Sequence, residues 1–280
     1  MKVIEVENLI FSYPDGTSAL EGVSFSVEKG ESVALLGPNG SGKSTLLLHL
    51  NGLLRGRGTV RIMGKEIEEH SLSWIRSQVG MVFQDPDDQL FMPTLGEDVA
   101  FGPVNMGLSD REVQETVAWA LQSVGLSGLS EKSPHHLSFG QRKRAALATV
   151  LSMKPMVMVL DEPTSNLDPR SKKEMVLLIR MLQSNGTTII TATHDANLVP
   201  SMADRILLLD RKIVADGYVR QILCRRDLMD GLGLEMPLLV DLFETLREEG
   251  SYSGVTPFAK KESVKAINDM LQKKNRELIG

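Results

Sequence analysis

An α/β fold built on a mainly parallel sheet is predicted by three observations. Ser32-Val33-Ala34-Leu35-Leu36 reads as a buried strand that runs straight into a glycine loop, and residues 46–50 continue as a helix. Residues 156–160 form a short, wholly apolar run, as expected of a strand covered on both faces. A helix follows Pro169, and residues 188–191 form another strand. Strand alternating with helix points to a parallel sheet with helices on its faces.

Ahead of this core, residues 3–27 read as short strands. Val3, Ile4 and Val6 lead to a turn at Pro14-Asp15-Gly16, and Val23, Phe25 and Val27 alternate with polar residues. Met81-Val82-Phe83-Gln84 reads as a strand with a polar end. From about residue 85 to 154 the character changes to helix and loop. Ser109 with Glu112 forms a capping-box pattern, and Val113, Val117, Ala120, Leu121 and Val124 follow at helical spacing. Residues 204–216 read as a strand hairpin turning at Asp210-Arg211. After about Gln221 the pattern weakens. Leu239, Leu242, Phe243 and Leu246 mark one amphipathic helix, and Val264, Ile267 and Leu271 another. These form a C-terminal helical appendage. No internal repeat or low-complexity tract is visible.

Composition narrows the function classes. The 280 residues are 42% apolar, ordinary for a globular chain with a sizeable core. A net charge of −5 argues against nucleic acid as a partner, since phosphate backbones select basic surfaces. The single cysteine, Cys224, makes neither an intramolecular disulfide nor a metal cage, which suits a reducing compartment. Met1-Lys2-Val3-Ile4-Glu5 carries acid where a signal peptide would be apolar, and no apolar run approaches the ~20 residues of a membrane span. The expectation is a soluble chain that touches a membrane only through a partner.

Gly37-Pro38-Asn39-Gly40-Ser41-Gly42-Lys43-Ser44 fits G-x-x-x-x-G-K-[ST]. Glycines let the backbone curl so that several N–H groups point at phosphate oxygens, and the following helix N-terminus adds attraction for anions. Lys43 is expected to reach the β and γ phosphates, and Ser44 to offer its hydroxyl to Mg²⁺; Thr45 completes the nucleotide-binding set. By itself the loop implies only a nucleoside triphosphate.

Met158-Val159-Leu160-Asp161-Glu162 is an apolar strand ending in two acids, which places them at the sheet's carboxyl edge, where ligands bind in open α/β folds. Asp161 suits a Mg²⁺ ligand, and Glu162 suits the group that polarises attacking water. His194 ends another apolar strand and is placed to reach the γ-phosphate, while Gln84 is placed to bridge Mg²⁺ and water. Met156 and Met158 are core filler, not soft-metal ligands, and the adjacent His135 and His136 lack a third ligand nearby.

These residues resemble those of ATP-binding cassette (ABC) ATPases. Leu137-Ser138-Phe139-Gly140-Gln141 is similar to that family's signature, usually L-S-G-G-Q, and precedes Asp161-Glu162 as in the family. Ser165-Asn166-Leu167-Asp168 looks like the D-loop, His194 like the switch histidine, and Tyr13 like the aromatic that stacks on adenine. The resemblance covers roughly residues 1–220. It implies a P-loop NTPase core with an antiparallel β subdomain, a helical subdomain at about 85–154 within an ATP-binding domain of 1–222, and a C-terminal extension of 223–280. It also implies hydrolysis of ATP with Mg²⁺ between two subunits. The phosphate loop of one copy faces Ser138, Phe139, Gly140 and Gln141 of the other, with Asp168 nearby. Phe139 replaces the usual second glycine, and its bulk is expected to narrow the approach.

Gln84-Asp85-Pro86-Asp87-Asp88-Gln89-Leu90-Phe91 resembles the corresponding loop of energy-coupling factor (ECF) ATPases, particularly those serving cobalt or nickel uptake. Residues 97–103 and 237–240 extend the likeness. The resemblance implies an ATPase peripheral to the cytoplasmic face of the membrane. Its partners are a second ATPase subunit, an integral membrane coupling protein and a substrate-binding membrane component. Asp85, Asp87 and Asp88 are expected to receive arginines from the coupling protein. Two alternatives stand beside metal import: vitamin uptake by an ECF system, and a soluble, non-transport cassette ATPase. The interval from Lys43 to Leu137 is too short for the coiled-coil insertion of chromosome-type members.

Overall fold

The structure is a computed structural model that describes residues 1–279, with side chains to Gln272. Strands β1 (Lys2–Ser12) and β2 (Ser18–Glu28) pair antiparallel, with β4 (Arg57–Ile62) on the other edge of β1 and β5 (Lys65–Glu66) beyond it. This is the expected antiparallel sheet. The second sheet has six strands: β3 (Ser32–Leu36), β6 (Val79–Val82), β7 (Val157–Asp161), β8 (Thr188–Thr193), β9 (Arg205–Asp210) and β10 (Lys212–Tyr218). Their order is β10-β9-β3-β8-β7-β6, and every pairing but β9 with β10 is parallel.

Every residue of β3, β7 and β8 is buried, which is why these strands read as unbroken apolar or small-residue runs. Successive side chains serve opposite faces. Val157 and Val159 join a core between the two sheets, which also holds Val33, Leu35 and the helix α1 (Lys43–Leu50). Met158 and Leu160 face the other way. They pack against α3 (Leu95–Asn105), α4 (Asp110–Ser123), α5 (Phe139–Leu151) and α6 (Pro169–Ser184). A third core covers Ala34 and Leu36 of β3 and Ile206 and Leu208 of β9.

Several boundaries differ from the sequence reading. The first helix begins at Lys43, three residues before its apolar run, because Gly42 in the left-handed region ends the loop there. Strand β6 stops at Val82, so Gln84 lies on the following bend. The hairpin of β9 and β10 runs on to Tyr218. The short helices α2 (Leu72–Gln78), α7 (Val199–Met202), α8 (Val219–Leu223) and α9 (Arg226–Gly231) lie where no periodicity was visible. The two expected C-terminal helices are α10 (Leu238–Glu248) and α11 (Lys260–Ile279). The boundary expected at 222/223 falls inside the third core, which includes Ile222, Leu223, Met229 and Leu234.

Candidate active site

The loop after β3 is shaped by what its glycines avoid. A Cβ on Gly37 would sit 2.2 Å from the Leu209 carbonyl oxygen, and one on Gly42 would sit 2.4 Å from that of Ala19. Gly42 also has φ of 96° and Gly40 of 79°, values L side chains rarely adopt. Above this loop Lys43 Nζ donates to the carbonyls of Gly37 and Pro38, at 2.8 and 2.9 Å. Burial pulls the Lys43 ammonium below its ordinary range, while the charges of Glu162 and Asp161 hold it up. Tyr13 Oη is 2.8 Å from Thr45 Oγ1, and the Tyr13 ring meets Phe11 edge-on.

The ends of the parallel strands bring the acids to the same place. A cleft of about 340 Å³ is lined by Tyr13, Asn39, Gly40, Gly42, Lys43, Ser44, Thr45, Gln84 and Glu162, among others. Asp161 is buried at the end of β7, and desolvation raises its carboxyl above the usual range, with the Ser44 hydroxyl acting against it. Its Oδ1 is buried with no hydrogen-bond partner. An orphaned carboxylate oxygen beside a serine hydroxyl is a donor set suited to a hard cation such as Mg²⁺. Among the described residues no group of three acidic, His or Cys side chains is arranged to hold a metal by itself. Glu162 is 6% exposed, and its Oε1 lies 2.8 Å from Nδ1 of the exposed His194. A carboxylate held by an imidazole at the rim of an anion cradle is equipped to move a proton.

The signature segment lies outside this cleft. Ser138 caps α5, its hydroxyl accepting from Gln141 N at 3.3 Å while Gln141 Oε1 accepts from Ser138 N at 2.9 Å. A Cβ on Gly140 would lie 3.0 Å from Ser171 Oγ, so this residue lets α5 and α6 approach closely. Asp168 caps α6, accepting from the N–H groups of Arg170 and Ser171 and from the Ser171 hydroxyl. These bonds, the Ser171 hydroxyl foremost, hold the Asp168 carboxyl below its usual range. The Phe139 ring is partly buried against the helical core, with the Arg142 guanidinium 5.6 Å from its centre. As the first residue of α5 it has no positive φ that would call for glycine.

The acidic loop has ties of its own within the chain. Asp85 accepts from Asp87 N, and Asp87 pairs with Arg142 of α5 at 3.2 Å, so two of the three acids are engaged within the chain. Sequence reasoning missed Lys143 and Gln89. Lys143 is 1% exposed on α5, and burial brings its ammonium down to about 8, with Glu162, Asp161 and Asp85 opposing the shift. Gln89 accepts from Phe83 N and donates to the Ala146 carbonyl and the Thr149 hydroxyl. The signal for Lys143 was spacing: Ala146, Leu147 and Val150 fall three, four and seven residues later and are all buried.

A family model described as "ABC transporter" matches residues 20–165. The chain is 50% identical over 251 residues to the energy-coupling factor transporter ATP-binding protein EcfA of Methanosphaera stadtmanae, spanning 88% of this chain and 90% of the relative. It is also 50% identical over 243 residues to EcfA of Carboxydothermus hydrogenoformans, at 86% and 90% coverage. Among solved structures, CbiO1 of Clostridium perfringens, described as part of the ABC transporter complex CbiONQ, superposes with a TM-score of 0.75 at 39% identity, covering 87% of this chain and 99% of that one. A dimeric ATP-binding cassette in a post-hydrolysis state, bound to ADP and Pi, gives 0.69 at 27% identity, covering 77% and 98%.

Proposed function

Since this chain belongs to the ABC transporter family, as an ATP-hydrolysing subunit of the energy-coupling factor type, we propose that it powers import of a cobalt or nickel ion through membrane partners. In this reading residues 1–222 are the ATP-binding domain and 223–280 its helical extension. ATP lies in the cleft with Tyr13 on its adenine and its phosphates in the cradle of Gly37, Pro38, Asn39, Gly40, Ser41, Gly42, Lys43, Ser44 and Thr45. Asp161, Ser44 and Gln84 would hold Mg²⁺, which when bound neutralises phosphate charge. Glu162 accepts the proton of the attacking water, and His194 orients its carboxylate. Ser138, Phe139, Gly140 and Gln141 of a second copy close the far side, since a capped helix N-terminus is an anion site. Asp168 stands beside them, bonded to Ser171, which lies next to Gly140 of α5.

The observation that carries this reading is the 2.8 Å contact of Glu162 Oε1 with His194 Nδ1 beside a cleft lined by Lys43 and Ser44. Among the described residues no helix is long and apolar enough to cross a membrane, so transport needs partners. The exposed Phe91 and Phe101, stacked edge-on at 5.2 Å, suit the cytoplasmic helices of a membrane coupling protein. The chain then works at the cytoplasmic face as a peripheral subunit. The likeness of residues 84–91 to cobalt and nickel ATPases and the match to CbiO1 support the metal cargo.

Glu162→Gln is expected to keep ATP affinity, lose hydrolysis by at least roughly a hundredfold, and trap an ATP-bound dimer. Turnover at the wild-type rate would remove Glu162 from the role. In cells producing the chain with its membrane partners, the same substitution should abolish accumulation of radioactive cobalt and nickel. Vitamin accumulation in place of metal would replace the cargo assigned here.

A further inference from the structure

Lys143 is nearly inaccessible, yet its ammonium donates three hydrogen bonds: to the Gln84 carbonyl at 2.7 Å, the Glu162 carbonyl at 2.8 Å and the Ser165 hydroxyl at 3.1 Å. An ammonium has three protons, and all three are used. The acceptors come from two separate segments, the bend after β6 and the turn after β7 that leads to Asp168. Ser165 Oγ in turn donates to the Glu162 carbonyl at 2.8 Å. Glu162 has φ of 45°, a left-handed conformation that a glutamate seldom adopts without support. Its own N–H is held by the Ala192 carbonyl of β8 at 3.1 Å. Its main chain is therefore held from β8 on one side and from α5 on the other.

Lys143 does not line the cleft, and its contacts there are to main-chain oxygens, so it is not a group that touches nucleotide. It sits about 7.5 Å up α5 from Ser138. We propose that Lys143 is a positioning residue for hydrolysis: it ties the helix whose N-terminus meets the second copy's nucleotide to the main chain of Glu162 and Gln84. Seating of α5 on the opposite phosphates then sets the placement of both groups. Two further contacts make the tie directional, since Gln89 and the Asp87–Arg142 pair join the same loop to the same helix. The inference rests on the reading of Glu162 as the water-activating group.

The test uses the purified full-length chain, with ATP affinity, turnover and thermal midpoint measured for each variant. Lys143→Met is expected to keep the ATP dissociation constant within about threefold while kcat falls by about tenfold or more. Lys143→Arg, which keeps the charge and the donors, should recover most of that loss. Because Lys143 acts in part through Glu162, adding Lys143→Met to Glu162→Gln should lower the residual rate by clearly less than it lowers the wild-type rate. Wild-type kcat in Lys143→Met, or losses that multiply in the double variant, would overturn the proposal. If Lys143→Met fails to fold, Ser165→Ala decides: a fall in kcat of about threefold at unchanged affinity supports it, and unchanged kcat overturns it. Full turnover in Glu162→Gln alone would sink the Glu162 reading, an outcome distinct from a silent Lys143→Met.

Discussion

The Asp98 carboxylate is 3% exposed in α3, and its Oδ1 accepts the N–H groups of Phe91 and Met92, both at 3.0 Å. Its Oδ2 is buried without a partner. Desolvation outweighs the two hydrogen bonds and raises this carboxyl above its ordinary 3.8, with Glu97 adding to the rise. The folded chain therefore holds the Asp98 proton more tightly than the unfolded chain. Between the ordinary value and the raised one, stability falls as pH rises, and above both the full cost of the buried charge is present. Asp98→Asn removes that charge. The thermal midpoint of the variant relative to wild type should be higher at about pH 7 than at about pH 4. A difference that is flat or reversed with pH, measured by scanning fluorimetry, would refute the assignment. Residues of this kind explain where sequence reading stopped. The glycines of residues 37–42 were legible because the spacing itself encodes a backbone shape. Asp98, Gln89 and Lys143 act through main-chain groups brought near by the fold, and no local spacing records such partners.

The three main helices of the 95–151 segment begin in one way. Thr94 with Glu97, Ser109 with Glu112 and Ser138 with Gln141 each form a capping box. Only the middle one stood out in the sequence, because a clean apolar periodicity followed it. Strands β7 and β8 were legible for the opposite reason, since burial on both faces leaves no polar position to interrupt them. Helices α8 and α9 were not, as five or six residues are too few to display a period. The boxes offer a matched comparison. Ser109→Ala and Ser138→Ala should each lower stability by about 1 kcal/mol in urea unfolding, because each removes the hydroxyl of a helix's N-cap residue. Their effects on assembly should separate. In a Glu162→Gln background, Ser138→Ala should weaken the ATP-dependent dimer seen by size-exclusion chromatography, and Ser109→Ala should not. If the two behave alike in that assay, the start of α5 has no role at the dimer interface.

At the scale of the molecule, the parallel sheet is supported on the faces of β3 in different ways. One face is backed by the antiparallel sheet, through the core that holds Val33 and Leu35. Arg205 reinforces that junction, donating to the Ser26 carbonyl at 3.0 Å while pairing with Glu31 and Asp216. The other face, at Ala34 and Leu36, is covered by residues on both sides of the expected 222/223 boundary. Leu223 and Met229 are fully buried there and Leu234 nearly so, in the same core as Ala34 and Leu36 of the strand that leads into the phosphate loop. Burying side chains of this size contributes about 1.5–3 kcal/mol each, so the three together contribute about 5–9 kcal/mol. That is comparable to the whole net stability of a typical domain, about 5–15 kcal/mol. A chain ended after residue 222 should therefore fail to fold, although every nucleotide-binding residue would be present. A chain ended after residue 236 keeps all of this cover except Phe258, and loses α10 and α11. Helix α10 is braced by its own side chains and the loop that follows it, through Phe243 against Tyr252 and Arg247 with Glu244 and Thr256. The ion pairs of the two helices to the body, Arg220 to Glu262 and Arg226 to Asp241, lie at the surface, where such pairs add little, and the Leu238 N–H donates to Asn197 Oδ1 at 3.0 Å. The longer truncation should melt cooperatively by circular dichroism and bind ATP with near full-length affinity. If the chain ended at 222 melts as cooperatively as the chain ended at 236, the third core is not part of what holds the phosphate loop in place.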